Sequence, residues 1–223
     1  MILKYVAHSK KVIGLAMNDG WLPGARYTNL RDVKTFEFRH KGFLDIDWKN
    51  YSFEKHLESA AKENPRITIA RDVECIFQLE KILREAEELM KHSEYVCIVP
   101  KDTNLNNRIS ELIPKEFLLA YSVPTKYGGT EVSIDSFDRP VHLLGGRPDV
   151  QRQLADKLNV FSLDCNRFTL DARYGDFFDG KKFKKHPVGG YENCLKDSIR
   201  NITKLWDDYE INDDSQRLIG VAI

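Results

Sequence analysis

Residues 159–164 read NVFSLD, a mostly apolar run that ends in an acid. Such a run is typical of a buried β-strand, and an unpartnered charge at its end would be costly to bury. An Asp at a strand end most often caps the next helix or closes a turn. In barrels and open sheets of parallel strands, however, the chemistry collects at the carboxyl ends of the strands. Asp164 is therefore a candidate catalytic carboxylate.

Outward from this run, short apolar segments alternate with charged segments of helical periodicity, which is the pattern of an α/β fold. Seven or eight βα steps in 223 residues predict a compact or trimmed (β/α)8 barrel forming one catalytic domain over residues 1–223, with a doubly wound open sheet as the alternative. The predicted strands are 11–17, 42–47, 66–72, 95–100, 117–123, 140–145, 159–164 and, at the end of the chain, 217–223. The predicted helices are 52–63, 76–92, 104–113, 148–158 and 191–209.

Composition narrows the class of protein. Lys plus Arg and Asp plus Glu each number 34, so the net charge is zero and does not by itself predict a nucleic-acid partner. Because no stretch is apolar enough for a signal peptide or a membrane span, we expect a soluble, cytoplasmic protein. The four cysteines are far apart and include no C-x-x-C pair, which fits neither a disulfide framework nor a zinc ribbon, so we expect reduced thiols; they are Cys75, Cys97, Cys165 and Cys194. We also expect no bound metal and no cofactor.

Three predicted strands end in an acid. Asp47 ends GFLDID, Asp72 ends RITIARD and Asp164 ends NVFSLD, so the predicted sheet brings three carboxylates to one rim. Glycosidic cleavage uses such a set, because one carboxylate stabilises or attacks the cationic carbon while another transfers protons. Binding of a metal ion through oxygen ligands is the alternative.

The segment PVHLLGGRPDVQRQLADKLNVFSLDC (140–165) resembles the part of tRNA-guanine transglycosylases that runs from a glycine turn to the nucleophile motif Phe-Asp-Cys. ITIARDVEC (67–75) is similar to the base-recognition strand of that family, and DWKNY (47–51) to its acid/base element Asp-Ser-Gly-Gly-Tyr. LLAYSVPTKYGGTE (118–131) is similar to its glycine-bearing loop. The resemblance covers about residues 42–210 and implies the barrel fold of the family.

The resemblance also implies roles. Asp164 would be the nucleophile at the sugar C1′, and Asp47 would be the general acid/base. Asp72 would accept hydrogen bonds from the base edge. The base would be held further by a stacking ring, by the start of the 122–131 loop and by the close approach of glycine backbone; these base-binding residues are Tyr51, Ser122, Gly145 and Gly146.

Departures from the family pattern refine the predicted function. The zinc-binding cysteines of the family have no counterpart, and Arg200 occupies the position of its zinc-binding His. The short chain resembles small DNA-acting relatives from phages and bacterial defence loci. The leading prediction is a DNA glycosylase that removes a modified base from phage DNA in antiviral defence. The alternatives are a transglycosylase that inserts a 7-deazaguanine and a non-catalytic nucleic-acid-binding module.

Local basic clusters predict where DNA would bind. GKKFKKHPVGGY (180–191) places four lysines around Phe183, which suits a loop that contacts phosphates with an aromatic ring at its tip. DGWLPGARYTNLRD (19–32) mixes arginines with aromatic residues. An ordinary solvated loop is the alternative for the first segment, and a turn-rich connection is the alternative for the second. The predicted DNA-binding residues are Arg26, Lys126, Lys181, Lys182, Lys184 and Lys185.

Overall fold

The computed structural model describes residues 2–126 and 128–212. Eight parallel strands close into a barrel in sequence order, and the first strand pairs with the eighth. The barrel strands are β1 (Leu3–Ala7), β2 (Leu22–Arg26), β3 (Phe43–Asp45), β4 (Ile67–Ile69), β5 (Tyr95–Ile98), β6 (Leu118–Ser122), β7 (Val141–Leu144) and β8 (Val160–Asp164). The helices are α1 (Lys10–Met17), α2 (Phe53–Glu63), α3 (Leu79–Met90), α4 (Ile109–Leu112), α5 (Pro148–Leu154), α6 (Arg167–Ala172) and α7 (Tyr191–Leu205). The predicted (β/α)8 barrel is thus confirmed.

Side chains of the strands alternate between the barrel interior and the layer that faces the helices. In β3, Phe43 belongs to the interior cluster and Leu44 to the outer core. The same alternation puts residues at the carboxyl ends of several strands over the top of the interior. The interior cluster contains Tyr5, Phe43, Ile67, Ile69, Cys97, Val99, Leu118, Ala120 and Phe161.

A β-bulge interrupts the alternation in β8. Val141 pairs with Val160 and His142 with Ser162, so Phe161 is an extra residue in the ladder. Because the bulge shifts the register by one position, Ser162 meets His142, whose ring stacks on the interior residue Phe43 with centroids 4.8 Å apart. The strand then ends with Asp164 in the cleft above.

Between β8 and α7 the chain forms an antiparallel hairpin of β9 (Asp176–Phe178) and β10 (Phe183–Lys185). Asn201 of α7 donates a hydrogen bond to the Phe178 carbonyl oxygen, and the Ser198 hydroxyl accepts one from the Phe178 N–H. The hairpin is therefore tied to the last described helix.

The prediction of a strand over 11–17 is wrong, because these residues lie in α1, where Val12, Ile13 and Ala16 are buried at helical spacing. A short apolar run is ambiguous between strand and helix. The prediction began too late in the chain: β1 and β2 were missed, and β2 carries Pro23 and Gly24, which disfavour strands in general. The predicted strand over 217–223 lies outside the described residues. None of the described helices is long and apolar enough to cross a membrane.

Candidate functional site

A cleft of about 640 Å³ opens at the carboxyl ends of the barrel strands. The lining of this cleft includes the last residues of four strands, which are Arg26, Asp45, Ser122 and Asp164. The loops that follow the strands supply further lining residues, among them Trp48, Asp72, Lys101, Gly145, Gly146 and Asn166. Asp164, Asp72, Ser122 and both glycines were predicted from the sequence, and the structure brings them together at this cleft.

Asp164 is buried but is surrounded by hydrogen-bond donors. The Gly145 N–H donates to its Oδ1 at 2.8 Å, and the Asn166 side-chain amide lies 3.4 Å from its Oδ2. Asn166 is itself fixed, because its Oδ1 accepts a hydrogen bond from the Ala7 N–H at 3.0 Å. These two donors hold the Asp164 carboxylate in one orientation at the end of its strand.

The turn after β7 aims the Gly145 N–H at Asp164. Gly145 and Gly146 have φ of +64° and +88°, a backbone conformation that favours glycine. The buried Gln151 holds the turn, because its side-chain amide donates to the carbonyl oxygens of Gly145 at 2.7 Å and Asp164 at 2.8 Å. The glycine turn and the carboxylate therefore form one rigid unit.

The second cleft acid at this rim is Asp45 rather than the predicted Asp47. The strand ends at Asp45, and the chain then turns through 48–50, so Asp47 is not among the residues that line the cleft. The Asp47 Oδ1 instead accepts a hydrogen bond from the Lys49 N–H. GFLDID contains two acids with strand periodicity, and the end of β3 with the turn that follows it decides which of them lines the cleft.

Asp45 differs from Asp164 in its surroundings. Burial and the nearby charge of Asp164 raise the pKa of Asp45 to about 7, although the Ile46 N–H and Arg26 oppose the shift. The Arg26 Nε lies 3.7 Å from Asp45 Oδ2, so this predicted DNA-binding residue contacts a cleft carboxylate. Two carboxyl groups in such different environments are the arrangement that acid/base catalysis requires.

Asp72 and Lys101 form an ion pair at the same rim, with Lys101 Nζ 2.6 Å from Asp72 Oδ2 and 3.1 Å from Glu74 Oε1. Burial alone would lower the pKa of Lys101, but the two carboxylates outweigh this effect and raise it. Lys101 is therefore held as an ammonium and is poorly suited to act as an amine nucleophile. Asp72 lines the cleft beside this ion pair.

The predicted stacking residue Tyr51 does not line the cleft. It lies against a separate cavity of about 790 Å³ that α2 and α3 border. Its hydroxyl is 3.3 Å from His56 Nδ1, and its ring packs edge-on against Tyr27. Among the described residues, the aromatic residue that lines the cleft is Trp48, whose exposed fraction is 59%.

Four of the five predicted DNA-binding lysines lie on the hairpin and are all exposed, but their surroundings differ. Lys184 and Lys185 form ion pairs with Asp179 and Asp176, whereas the described residues offer no side-chain partner to Lys181 or Lys182. Phe183 is not at the tip, because it is half-buried against Phe178. The Arg147 guanidinium lies 5.7 Å from the Phe183 ring, so the hairpin borders the rim next to the glycine turn.

Lys126 lies exposed on the loop that follows β6. This loop is tied to the strand end, because the Thr130 hydroxyl accepts a hydrogen bond from the Ser122 N–H at 3.0 Å. The Thr130 N–H in turn donates to the Ser122 carbonyl oxygen at 2.8 Å. The loop is thereby held beside the cleft, and its residues Thr125, Gly128, Gly129 and Glu131 line it.

Across residues 2–126 and 128–212, no three His, Cys, Asp or Glu side chains are grouped closely enough to hold a metal ion. Asp45, Asp72 and Asp164 are spread around the rim, so their arrangement does not favour the oxygen-ligand alternative. All four cysteines are free, and Arg200 pairs with Asp197. The described residues thus do not fit the zinc site of the transglycosylase family.

The fold and the cleft define a (β/α)8 barrel protein with a carboxylate-lined site at the carboxyl ends of its strands. Residues 16–207 match the model of a family of unknown function, DUF6610, and the chain belongs to that family. No curated protein matches the chain. A similar solved structure is the YdjI aldolase from Escherichia coli K12, with 10% identity, a TM-score of 0.50, and coverage of 98% of this chain and 91% of that chain. At this identity the likeness shows the fold alone.

Several cleft residues were missed by sequence reasoning. Asp45 was missed because the predicted strand was ended two residues later, at Asp47. Lys101 was missed because it follows Pro100, where the next predicted strand but one was ended. Trp48 lies in DWKNY, from which the sequence analysis assigned roles only to Asp47 and Tyr51. Asn166 could have been found from the sequence, because it follows the candidate nucleophile by two residues at the start of a helix.

Proposed function

We propose that this chain is an enzyme that cleaves the N-glycosidic bond of a modified base in DNA. The observation that carries the proposal is the contrast between two carboxyl groups at one cleft. Asp164 is held by N–H donors, whereas burial and the charge of Asp164 raise the pKa of Asp45 to about 7. Glycosidic cleavage needs such a pair, one group ionised and one able to donate a proton.

In the proposed reaction, the Asp164 carboxylate faces the sugar C1′ and stabilises or attacks the cationic carbon as the bond to the base breaks. Asp45, when protonated, donates its proton to the departing base. Water then supplies a hydroxyl group to C1′ and leaves an abasic site, while its proton returns to a cleft carboxylate. The burial of Asp164 and the partial burial of Asp45 strengthen these charge interactions relative to bulk water.

The proposed substrate is a base flipped out of the duplex, since a stacked base could not enter a barrel cleft. Trp48, exposed at the cleft, is suited to stack on it, and Asp72 to accept hydrogen bonds from its edge. Lys181 and Lys182 on the neighbouring hairpin are suited to contact phosphates. The choice of modified phage DNA and a role in antiviral defence follows from the resemblance to small transglycosylase relatives.

Base exchange is the second candidate, because the same two carboxyl groups would serve it. In that reaction a free 7-deazaguanine, rather than water, would attack C1′ after the first base has left. The two reactions differ only in the acceptor, so product analysis separates them. A non-catalytic binding module would release no base under either condition.

The test uses modified and unmodified phage DNA, with and without a free deazaguanine base. Released base and alkali-labile sites are measured for wild type, Asp164→Asn, Asp45→Asn and Asp47→Asn. We expect the wild type to release base, Asp164→Asn to lose about 10³-fold or more of the rate, and Asp45→Asn to lose about 10²-fold. Asp47→Asn is the matched control and should retain activity, because Asp47 does not line the cleft.

Near-wild-type release by folded Asp164→Asn would overturn the proposed function. If deazaguanine is incorporated into the DNA and no alkali-labile sites form, the reaction is base exchange rather than hydrolysis. No released base from any DNA tested would favour the non-catalytic alternative.

A further inference from the structure

We propose that His142 is a positioning residue that presents its Nε2–H to Asp164. His142 is fully buried in the barrel interior, and its Nε2 has no hydrogen-bond partner among the described residues. The same atom lies 3.5 Å from Asp164 Oδ1. The inference rests on the proposed role of Asp164 and adds a residue that does not touch the substrate.

The ring of His142 is fixed on both sides. It stacks on Phe43 at 4.8 Å between centroids, and its Nδ1 lies 2.7 Å from the Ser162 hydroxyl oxygen. The β-bulge in β8 creates this contact, because it pairs His142 with Ser162 instead of Phe161. The ring therefore has one orientation, with Nε2 directed at the carboxylate.

The charge of Asp164 decides which nitrogen carries the proton. If Nε2 were unprotonated, its lone pair would face the carboxylate oxygen at 3.5 Å, which is repulsive. With a proton on Nε2, the Ser162 hydroxyl can donate to Nδ1 and the imidazole N–H faces Asp164. A hydrogen bond on one ring nitrogen commonly fixes the proton on the other in this way.

The contact is longer than a hydrogen bond in this structure. Contacts of catalytic groups are often long without substrate and shorten in the transition-state complex. Since Gly145 also donates to Asp164 Oδ1, an Nε2–H approaching the same oxygen would hold the carboxylate in one position beneath C1′. His142 would thereby lower the barrier without contributing to substrate binding.

The first measurement needs no variant. Spectra of ¹⁵N-histidine-labelled wild-type protein, with His142 assigned by its loss in a variant, should show a proton on Nε2. An unprotonated Nε2 would overturn the inference. This readout is independent of base release, so it stands whether or not the proposed function is correct.

The second measurement compares kcat and KM of three variants. His142→Phe keeps a stacking ring but removes the N–H, and we expect kcat to fall about 10²-fold with little change in KM. His142→Gln restores an amide N–H and should recover most of the loss. Tyr5→Phe is the control: its hydroxyl is buried in the same interior and has no hydrogen-bond partner among the described residues, so kcat should be unchanged.

Wild-type kcat in folded His142→Phe, or no recovery in folded His142→Gln, would refute the inference. If Asp164→Asn loses activity while His142→Phe keeps the wild-type kcat, the inference about His142 is refuted and the proposed function is not. If Asp164→Asn were fully active, the proposed function would fail, and the NMR result would still establish the position of the proton.

Discussion

At the residue scale, the cleft sets two aspartates in contrasting environments. Asp164 accepts hydrogen bonds from a backbone N–H and lies near a side-chain amide, whereas the one short hydrogen bond to Asp45 comes from the next residue in the chain. Asp45 is also close enough to Asp164 for the two charges to repel each other. Identical side chains can therefore take opposite roles, and the difference comes from their surroundings.

The raised pKa of Asp45 predicts a pH-dependent cost of folding. The carboxyl is ionised above about pH 4 in the unfolded chain but only above about pH 7 in the folded protein. The free energy of unfolding should therefore fall as the pH rises from 4 to 7 and level off above that, by at most about 4 kcal/mol. Asp45→Asn should stabilise the protein more at pH 8 than at pH 4, measured by urea unfolding of both proteins.

Asp47→Asn is the matched control for this measurement and should show no such pH-dependent gain. An equal effect of Asp45→Asn at pH 4 and pH 8 would contradict the raised pKa. The same titration should appear in catalysis, because a general acid is lost as it ionises. We expect kcat/KM for base release to fall above about pH 7.

At the element scale, two short connections adjust the cleft. The glycine turn after β7 delivers a backbone N–H to Asp164, and the β9–β10 hairpin places lysines beside the rim. In the hairpin, ion pairs engage Lys184 and Lys185, and the Asp179 Oδ1 accepts hydrogen bonds from the N–H groups of Lys181 and Lys182. Asp179 thus shapes the turn while leaving these two lysine side chains exposed.

The hairpin predicts unequal contributions of its lysines to DNA binding. Lys181→Gln with Lys182→Gln should weaken binding on every DNA sequence and reduce the log–log salt slope by up to about 1.8, which corresponds to two lost phosphate contacts. Lys184→Gln with Lys185→Gln is the matched double variant and should change the slope less, because these lysines are already paired. Affinities are measured across a salt series. Equal salt slopes for the wild type and the first double variant would show that the hairpin is an ordinary solvated loop that does not contact DNA.

The glycine turn predicts a difference between two adjacent substitutions. An added Cβ at Gly146 would lie 2.4 Å from Val123 Cγ1, whereas one at Gly145 would meet no atom within 4 Å. Both positions have positive φ, so each Ala variant bears backbone strain of about 1–3 kcal/mol. We expect Gly146→Ala to lose at least about 1 kcal/mol more unfolding free energy than Gly145→Ala, because overpacking adds to the strain. Equal losses of unfolding free energy in the two variants, measured by urea unfolding, would show that the Val123 side chain moves aside at no cost in free energy.

At the scale of the whole molecule, closure of the barrel makes the site. The first strand pairs with the eighth, and the Tyr5 carbonyl oxygen accepts a hydrogen bond from the Cys165 N–H at 3.1 Å. The Ala7 N–H holds Asn166, which in turn lies beside Asp164. Residues separated by most of the chain thus fix the proposed nucleophile.

Closure predicts that residues 1–8 are required for folding. Their removal would expose the edges of β2 and β8 and take Tyr5 from the interior, so we expect aggregation or loss of cooperative thermal unfolding. The control is Lys11→Gln, which breaks only an exposed ion pair with Glu192 and should leave the melting temperature nearly unchanged. A truncated protein that melts cooperatively at the wild-type temperature would contradict the role of β1 in closing the barrel.

Much of the barrel could be predicted from the sequence because its signals are local. Apolar runs such as 159–164 and the helical spacing in α3 depend on residues a few positions apart. The same local signals placed Asp164, Asp72 and the glycines at strand ends, and the structure brings them to one cleft. Their roles in catalysis and base binding stay predictions.

Tertiary structure decided what depends on residues distant in sequence. Both Asp45 and Asp47 fit the period of a strand, and the turn that follows β3 left only Asp45 in the cleft. Tyr51 and Trp48 are three residues apart, yet packing against His56 draws Tyr51 away while Trp48 lines the cleft. The contacts of Asp164 with Gly145 and His142 come from β7 and its turn, because pairing of strands, rather than any local pattern, sets which donors meet the carboxylate.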